Sequence, residues 1–134
     1  MTETPSAALA NPGVWPCLMY RDAPAALAFL VDGLGFVQTA RYDADTDTVA
    51  HAELRWPEGG GVMLGSARPD GPDVPPGVGV VYVTTQQPDA VHDRALAAGA
   101  AVVQPLHQEN YGSREFSVRD PEGVIWSFGT YAGA

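Results

Sequence analysis

His51, Glu53, His107 and Glu115 are the residues whose types can hold a metal or move a proton. Imidazole and carboxylate are the usual ligands of a divalent ion and the usual acid–base pair. His51 and Glu53 stand two apart in a strand-like run, so both point to one face while Ala52 and Leu54 point to the other. Such a pair either closes a polar patch by hydrogen bonding or touches a ligand. Two ligands are too few for a metal centre, so His51 and Glu53 need a third group, such as Glu115 or His107. Without metal, Glu53 or Glu115 can serve as a base with His51 as partner. His92, beside Asp93 and Arg94, reads as exposed helix surface.

The elements that position these residues repeat. Strand-like runs Val14 to Tyr20 and Val78 to Thr84 each lead to a Pro-marked helix start, Pro24 and Pro88. Each helix ends at a glycine, Gly35 and Gly99, and both pairs share one offset. Proline near a helix start and glycine just past its end is the expected asymmetry. Leu27, Leu30, Val31 and Leu34 form an apolar stripe, Val91, Ala95 and Ala98 a second one, and Asp22 suits an N-cap. Three strand-like runs follow each helix: Phe36 to Tyr42, Thr48 to Trp56 and Gly61 to Ser66, then Ala101 to Gln104, Ser113 to Arg119 and Val124 to Thr130. Each half is strand, helix, three strands, and duplication of such a unit is an architectural signal. The reading is one domain over 1–134: a tail at 1–12, module one at 13–66, a Pro/Gly linker at 67–77 and module two at 78–131.

The final hairpin carries the sharpest motif. Tyr111-Gly112-Ser113-Arg114-Glu115-Phe116 leads into Arg119-Asp120-Pro121-Glu122-Gly123, a turn in which Pro presets φ and Gly supplies a positive φ. Together with His51-Ala52-Glu53-Leu54 and Ala97-Ala98-Gly99-Ala100, it resembles the vicinal oxygen chelate superfamily of glyoxalases, bleomycin resistance proteins and extradiol dioxygenases. That resemblance implies an α+β fold of two tandem βαβββ modules. They would form a curved half-barrel sheet with a central cavity, and the chain would be a homodimer.

The resemblance also implies where a metal would sit. Metal-dependent relatives place ligands on the first and last strand of each module. Counting back seven positions from Asp22 reaches Trp15, and the same count from Gln87 reaches Val80. The last strands offer Met63 and Ser127, the latter where such relatives carry Glu. Trp, Val and Met do not serve hard or borderline cations, so the expectation is no metal and no cofactor. Instead the cavity would be apolar and aromatic, with Trp15, Cys17 and Met19 on one strand face, Val80 and Tyr82 on its counterpart, and Tyr111 at the last hairpin. His107, in the run from Pro105 to Asn110, would border its mouth, and Trp126 would lie in the core.

Composition limits the classes. A chain of 134 residues that is 46% apolar supports one core. Net charge of −9 argues against nucleic acid, which requires Lys and Arg on phosphate. Longer apolar runs would be needed to cross a membrane, and the single cysteine fits a reducing cytoplasm. The expected function is sequestration of a small molecule, a flat aromatic such as an antibiotic, with Glu53 and Glu115 complementing a cationic one. The alternative is a glyoxalase-like lyase, isomerase or dioxygenase with a non-standard metal site.

Overall fold

The computed structural model describes residues 11–71 and 73–134. The tail expected over 1–12 therefore falls mostly outside the described residues. The elements run β1 (Cys17–Tyr20), α1 (Ala23–Ala28) with a π-helical continuation (Phe29–Leu34), β2 (Val37–Asp45), β3 (Thr48–Arg55) and β4 (Gly61–Ser66). Then come β5 (Val80–Thr84), α2 (Pro88–Ala97), β6 (Ala101–Gln108), β7 (Arg114–Arg119) and β8 (Ile125–Gly129). The repeat is strand, helix, three strands, twice over. Each module folds into its own four-stranded sheet, ordered β1-β4-β3-β2 and β5-β8-β7-β6.

Local chemistry accounts for most boundaries. Asp22 caps α1 by accepting from the amide of Ala25 at 3.1 Å. The helix then widens: the amides of Gly35 and Phe36 both reach the carbonyl of Leu30. The leucine stripe survives this widening, and Leu27, Leu30 and Leu34 are buried. Strand β1 starts at Cys17 rather than at Val14, because Pro16 has no amide to give; its carbonyl still accepts from Met63 at 2.9 Å. Strand β6 runs on to Gln108 where a loop was expected from Pro105. It is an edge strand with register shifts between Val102 and His107, and edges and bulges are where a strand tolerates proline. Gly123 closes the last hairpin with φ 111°.

Alternation sorts each strand into two faces. Ala52, Leu54, Val62 and Leu64 of module one, and Val83, Phe116, Val118, Trp126 and Phe128 of module two, are buried in a single core with the helices. Aromatic contacts join the two sheets there. Phe36 meets Trp126 edge-on at 5.4 Å between ring centres, and Trp56 meets Phe128 at 5.7 Å. The helix-bearing faces of both sheets thus share one interior, and their other faces point away from it.

Polar braces lock this arrangement. Asp120, buried in the last turn, accepts from Tyr20 Oη at 2.5 Å and from Trp126 Nε1 at 3.1 Å through one carboxylate oxygen. Its other oxygen accepts from the amides of Glu122, Gly123 and Val124. Every acceptor position of this buried carboxylate is used, as burial demands. Burial, and then Asp120, pushes the Tyr20 phenol well above its ordinary pKa. Arg114, which alternation turns to the helix side, forks onto Asp89 of α2 at 2.7 and 3.1 Å. That pairing holds the Asp89 carboxyl below its ordinary range. His92 is less exposed than its helix position suggested: its ring stands edge-on to buried Phe116 at 5.2 Å, with Asp93 on Nδ1.

Candidate functional site

The twelve sequence-predicted site residues divide evenly between the two outer faces. Trp15, Cys17, Met19, His51, Glu53 and Met63 belong to module one. Val80, Tyr82, His107, Tyr111, Glu115 and Ser127 belong to module two. The side-chain bonds among them stay within one module, His51 with Glu53 and Tyr111 with Glu115.

On module one, backbone register sets the rows. Cys17 pairs with Met63, Met63 with Glu53 and Glu53 with Ala40. Cys17 is exposed, and Met19, His51, Glu53 and Met63 are half-buried. His51 Nε2 lies 2.9 Å from Glu53 Oε2, and Tyr42 stacks on the His51 ring at 6.3 Å. The Arg55 guanidinium sits 4.9 Å above the Trp15 ring. Gly61 makes that possible: a Cβ there would lie 2.8 Å from Trp15 and 2.6 Å from the carbonyl of Leu54.

On module two, Tyr82 pairs with Ser127, Ser127 with Ser117, and Glu115 with both Gly129 and His107. The Ser127 hydroxyl is engaged by Ser117 Oγ at 2.7 Å. Beside it lies a denser cluster. Tyr111 Oη donates to Glu115 at 3.1 Å, and Tyr82 Oη donates to the carbonyl of Tyr131 at 2.8 Å. Tyr131 stands edge-on to Tyr111 at 5.9 Å. His107 touches the carbonyl of Pro105 through Nδ1 and Glu109 through Nε2, both at 2.8 Å. Tyr82, Tyr111 and Tyr131 are exposed to 43%, 60% and 48%, so part of each ring is open to a ligand.

The charges here act on one another. Lost hydration, and next the Glu115 carboxylate, lift the Tyr111 phenol to about 12. Burial raises Tyr82, with Glu115 adding to it. The Pro105 carbonyl, and second the Glu109 carboxylate, raise His107 above its ordinary value. His107, Glu109 and Glu115 bring one ligand atom each within 4.8 Å of one another, so they can hold a cation. His51 and Glu53 take no part in that set.

Sequence reasoning missed Glu109, Tyr131, Tyr42 and Arg55. Glu109 carried a signal: it stands two residues from His107, the spacing that drew notice to His51 and Glu53. Pro105 marks the segment as loop, where alternation has no meaning. Tyr131 and Tyr42 lie at the ends of runs with no motif.

Of the four positions that a metal-dependent relative would use, Met63 pairs with Cys17 and Ser127 with Tyr82, so Trp15 and Val80 stand out of register with them. Each lies two residues earlier in its chain segment, Trp15 just ahead of β1 and Val80 at the first position of β5. A crevice of about 240 Å³ opens between Val14, Pro16 and β5, floored by Phe36 and Trp56. Among the described residues, no helix is long and apolar enough to cross a membrane.

Paired βαβββ modules with outward sheet faces define a fold class shared with known proteins. The chain belongs to the glyoxalase/bleomycin resistance protein/dioxygenase superfamily, whose model matches residues 14–128. An uncharacterized protein of Mycobacterium tuberculosis is 35% identical over 127 residues, covering 89% of this chain and 74% of that one. The crystal structure of TioX from Micromonospora sp. ML1 matches with a TM-score of 0.72 and 34% identity, over 87% of this chain and 98% of that one. A glyoxalase/bleomycin resistance protein from Streptomyces sp. CB03234 shares the fold at 22% identity and a TM-score of 0.64, over 84% and 97%.

Proposed function

We propose that the chain is a small-molecule-binding protein that sequesters a flat aromatic ligand, such as an antibiotic, in clefts completed by a second copy. The residue types at the relatives' ligand positions carry this reading. Trp15, Met63, Val80 and Ser127, at those positions, supply no imidazole or carboxylate, so the ligand is held by contact and charge rather than through a metal there.

Three further features support it. Each outer face offers aromatic surface beside a carboxylate: Tyr42 stacks on the His51 ring that bonds Glu53, and Tyr111, bonded to Glu115, stands beside Tyr131 with Tyr82 close by. Aromatic faces with nearby negative charge favour flat rings and cations, by about 0.5–2 kcal/mol per contact. The crevice of about 240 Å³ beside Tyr82 is below the roughly 300–1,000 Å³ of drug-sized pockets, so in this reading a second copy completes it. The net charge of −9 would draw a cationic ligand inward.

A tryptophan-fluorescence titration against bleomycin-like and intercalating antibiotics, paired with light scattering for mass, tests both parts. Saturable quenching by a dimer, lost in Trp15→Ala and Tyr82→Ala, is the expected result. A monomer that no flat aromatic quenches would remove the proposal.

A further inference from the structure

We propose that His107, Glu109 and Glu115 form a binding site for one divalent transition-metal ion, separate from the β1/β4 and β5/β8 positions. The three side chains present one nitrogen and two carboxylate oxygens within 4.8 Å of one another. Ligands about 2 Å from a common ion stand roughly 3–3.5 Å apart, so small side-chain rotations complete the set.

The backbone prepares this convergence. His107 faces Glu115 directly across the β6–β7 ladder, and Glu109, just past the end of β6, reaches His107 Nε2 through its carboxylate at 2.8 Å. The register shift in β6 before His107 turns the imidazole towards Glu115.

Outside the cluster, Pro105 supplies an independent mark. Its carbonyl accepts from His107 Nδ1 at 2.8 Å, which fixes the tautomer and leaves Nε2 as the ligand nitrogen. Metal-bound imidazoles characteristically donate their second N–H to a carbonyl or carboxylate in this way. Nε2 points at Glu109 Oε2, so an ion would replace the proton they share. Tyr111 Oη holds the Glu115 carboxylate from behind at 3.1 Å.

The donor set selects the ion. An imidazole with two carboxylates suits Zn, Co, Ni, Mn or Fe(II) rather than Mg or Ca, which take oxygen alone, or Cu(I), which takes sulfur. His107 and Glu109 keep about 28% and 32% of their side-chain surface exposed, so solvent can fill the remaining coordination positions. This inference stands apart from the sequestration reading. An organic cation and a metal would compete for Glu115, so the metal is titrated with no organic ligand present.

The test uses the full chain, stripped with chelator and titrated with Co2+ alone, followed by displacement with Zn2+. One equivalent should produce visible d–d absorption and shift the His107 ring resonances in NMR. Glu109→Gln, Glu115→Gln and His107→Gln should each weaken binding at least ten-fold, whereas Asp93→Asn leaves it unchanged. Circular dichroism confirms that each variant is folded. If Glu115→Gln fails to fold, Glu109→Gln at the exposed strand end decides. No absorption at millimolar Co2+, or absorption indifferent to all three substitutions, would overturn the site. So would loss in Asp93→Asn alone.

Discussion

Glu58 and Glu122 brace the two modules against each other in opposite directions. Glu122, in the β7–β8 turn of module two, accepts from the amides of Arg21 and Asp22 at 2.7 Å each, at the junction of β1 and α1. Glu58, in the β3–β4 turn of module one, accepts from Thr85 Oγ1 at 2.6 Å and the amide of Gln86 at 2.8 Å, at the junction of β5 and α2. The same duplicated position therefore takes amides at, or one residue ahead of, the N-cap of the other module's helix. A carboxylate on amides is a charge-assisted bond, and at a helix start it also meets the positive end of the helix dipole.

Glu58→Gln and Glu122→Gln should each lower stability by about 1 kcal/mol, measured by urea unfolding. The lost bonds are charged, but both sites border solvent. The double variant should approach the sum, because the braces share no partner. An unchanged midpoint in both single variants would show that the braces do not hold the modules.

Tyr20 gives a stability profile with a definite sign. Its folded pKa is raised, chiefly by burial and then by Asp120, so the native state keeps the phenol protonated where the unfolded chain ionises. Below the unfolded value near 10 both states are protonated and the contribution is complete. Above it, stability falls as pH rises. Tyr20→Phe should cost about 1–3 kcal/mol at neutral pH by leaving Asp120 short of a donor, and should flatten the alkaline fall. Unfolding midpoints at pH 8 and pH 10.5 check both; an equally steep fall in Tyr20→Phe contradicts the assignment.

The repeat was legible because each element carries local instructions: Pro24 and Pro88 start helices, Gly35 and Gly99 end them, and alternation marks strand faces. Alternation also placed Trp126 in the core and His51 with Glu53 on the other face. The orientation of the modules was not legible. It rests on Glu58 and Glu122, which in a sequence look like solvated turn residues, and on Phe36, Trp56, Trp126 and Phe128 meeting across modules. The cluster around His107 was half legible for a similar reason. Pro105 announces a loop to any local reading, but it sits on an edge strand whose ladder continues past it.

His107 should titrate above the ordinary histidine value in the metal-free protein. The carbonyl of Pro105 is the first cause and Glu109 the second, and both favour the doubly protonated ring. Whatever stability the charged ring contributes is complete below the unfolded pKa of about 6.5 and fades as pH rises through the folded value. Following the ring proton by NMR in wild type and Glu109→Gln separates the causes. The substitution should lower the pKa part of the way, leaving the Pro105 share. No movement at all would assign the whole shift to the carbonyl.

Gly129 forms the floor of the module-two cluster, and its missing side chain is what admits the phenol and the carboxylate together. A Cβ at that position would lie 2.5 Å from Tyr82 Oη and 2.8 Å from Glu115 Cγ, contacts that no pair of atoms accepts. Both obstructing groups are side-chain ends on a half-open face, so they can swing aside. By contrast, a Cβ at Gly61 would also meet the Leu54 carbonyl at 2.6 Å, and backbone cannot move as freely. Gly129→Ala should therefore cost less stability than Gly61→Ala, about 1 kcal/mol against about 2–3. It should nonetheless weaken both aromatic-ligand quenching and Co2+ binding, because Glu115 is displaced from Tyr111 and His107. Paired denaturation and titration of the two variants decide the matter. A Gly129→Ala protein that binds both probes as wild type does would show that Tyr82 and Glu115 are not held in place by the glycine floor.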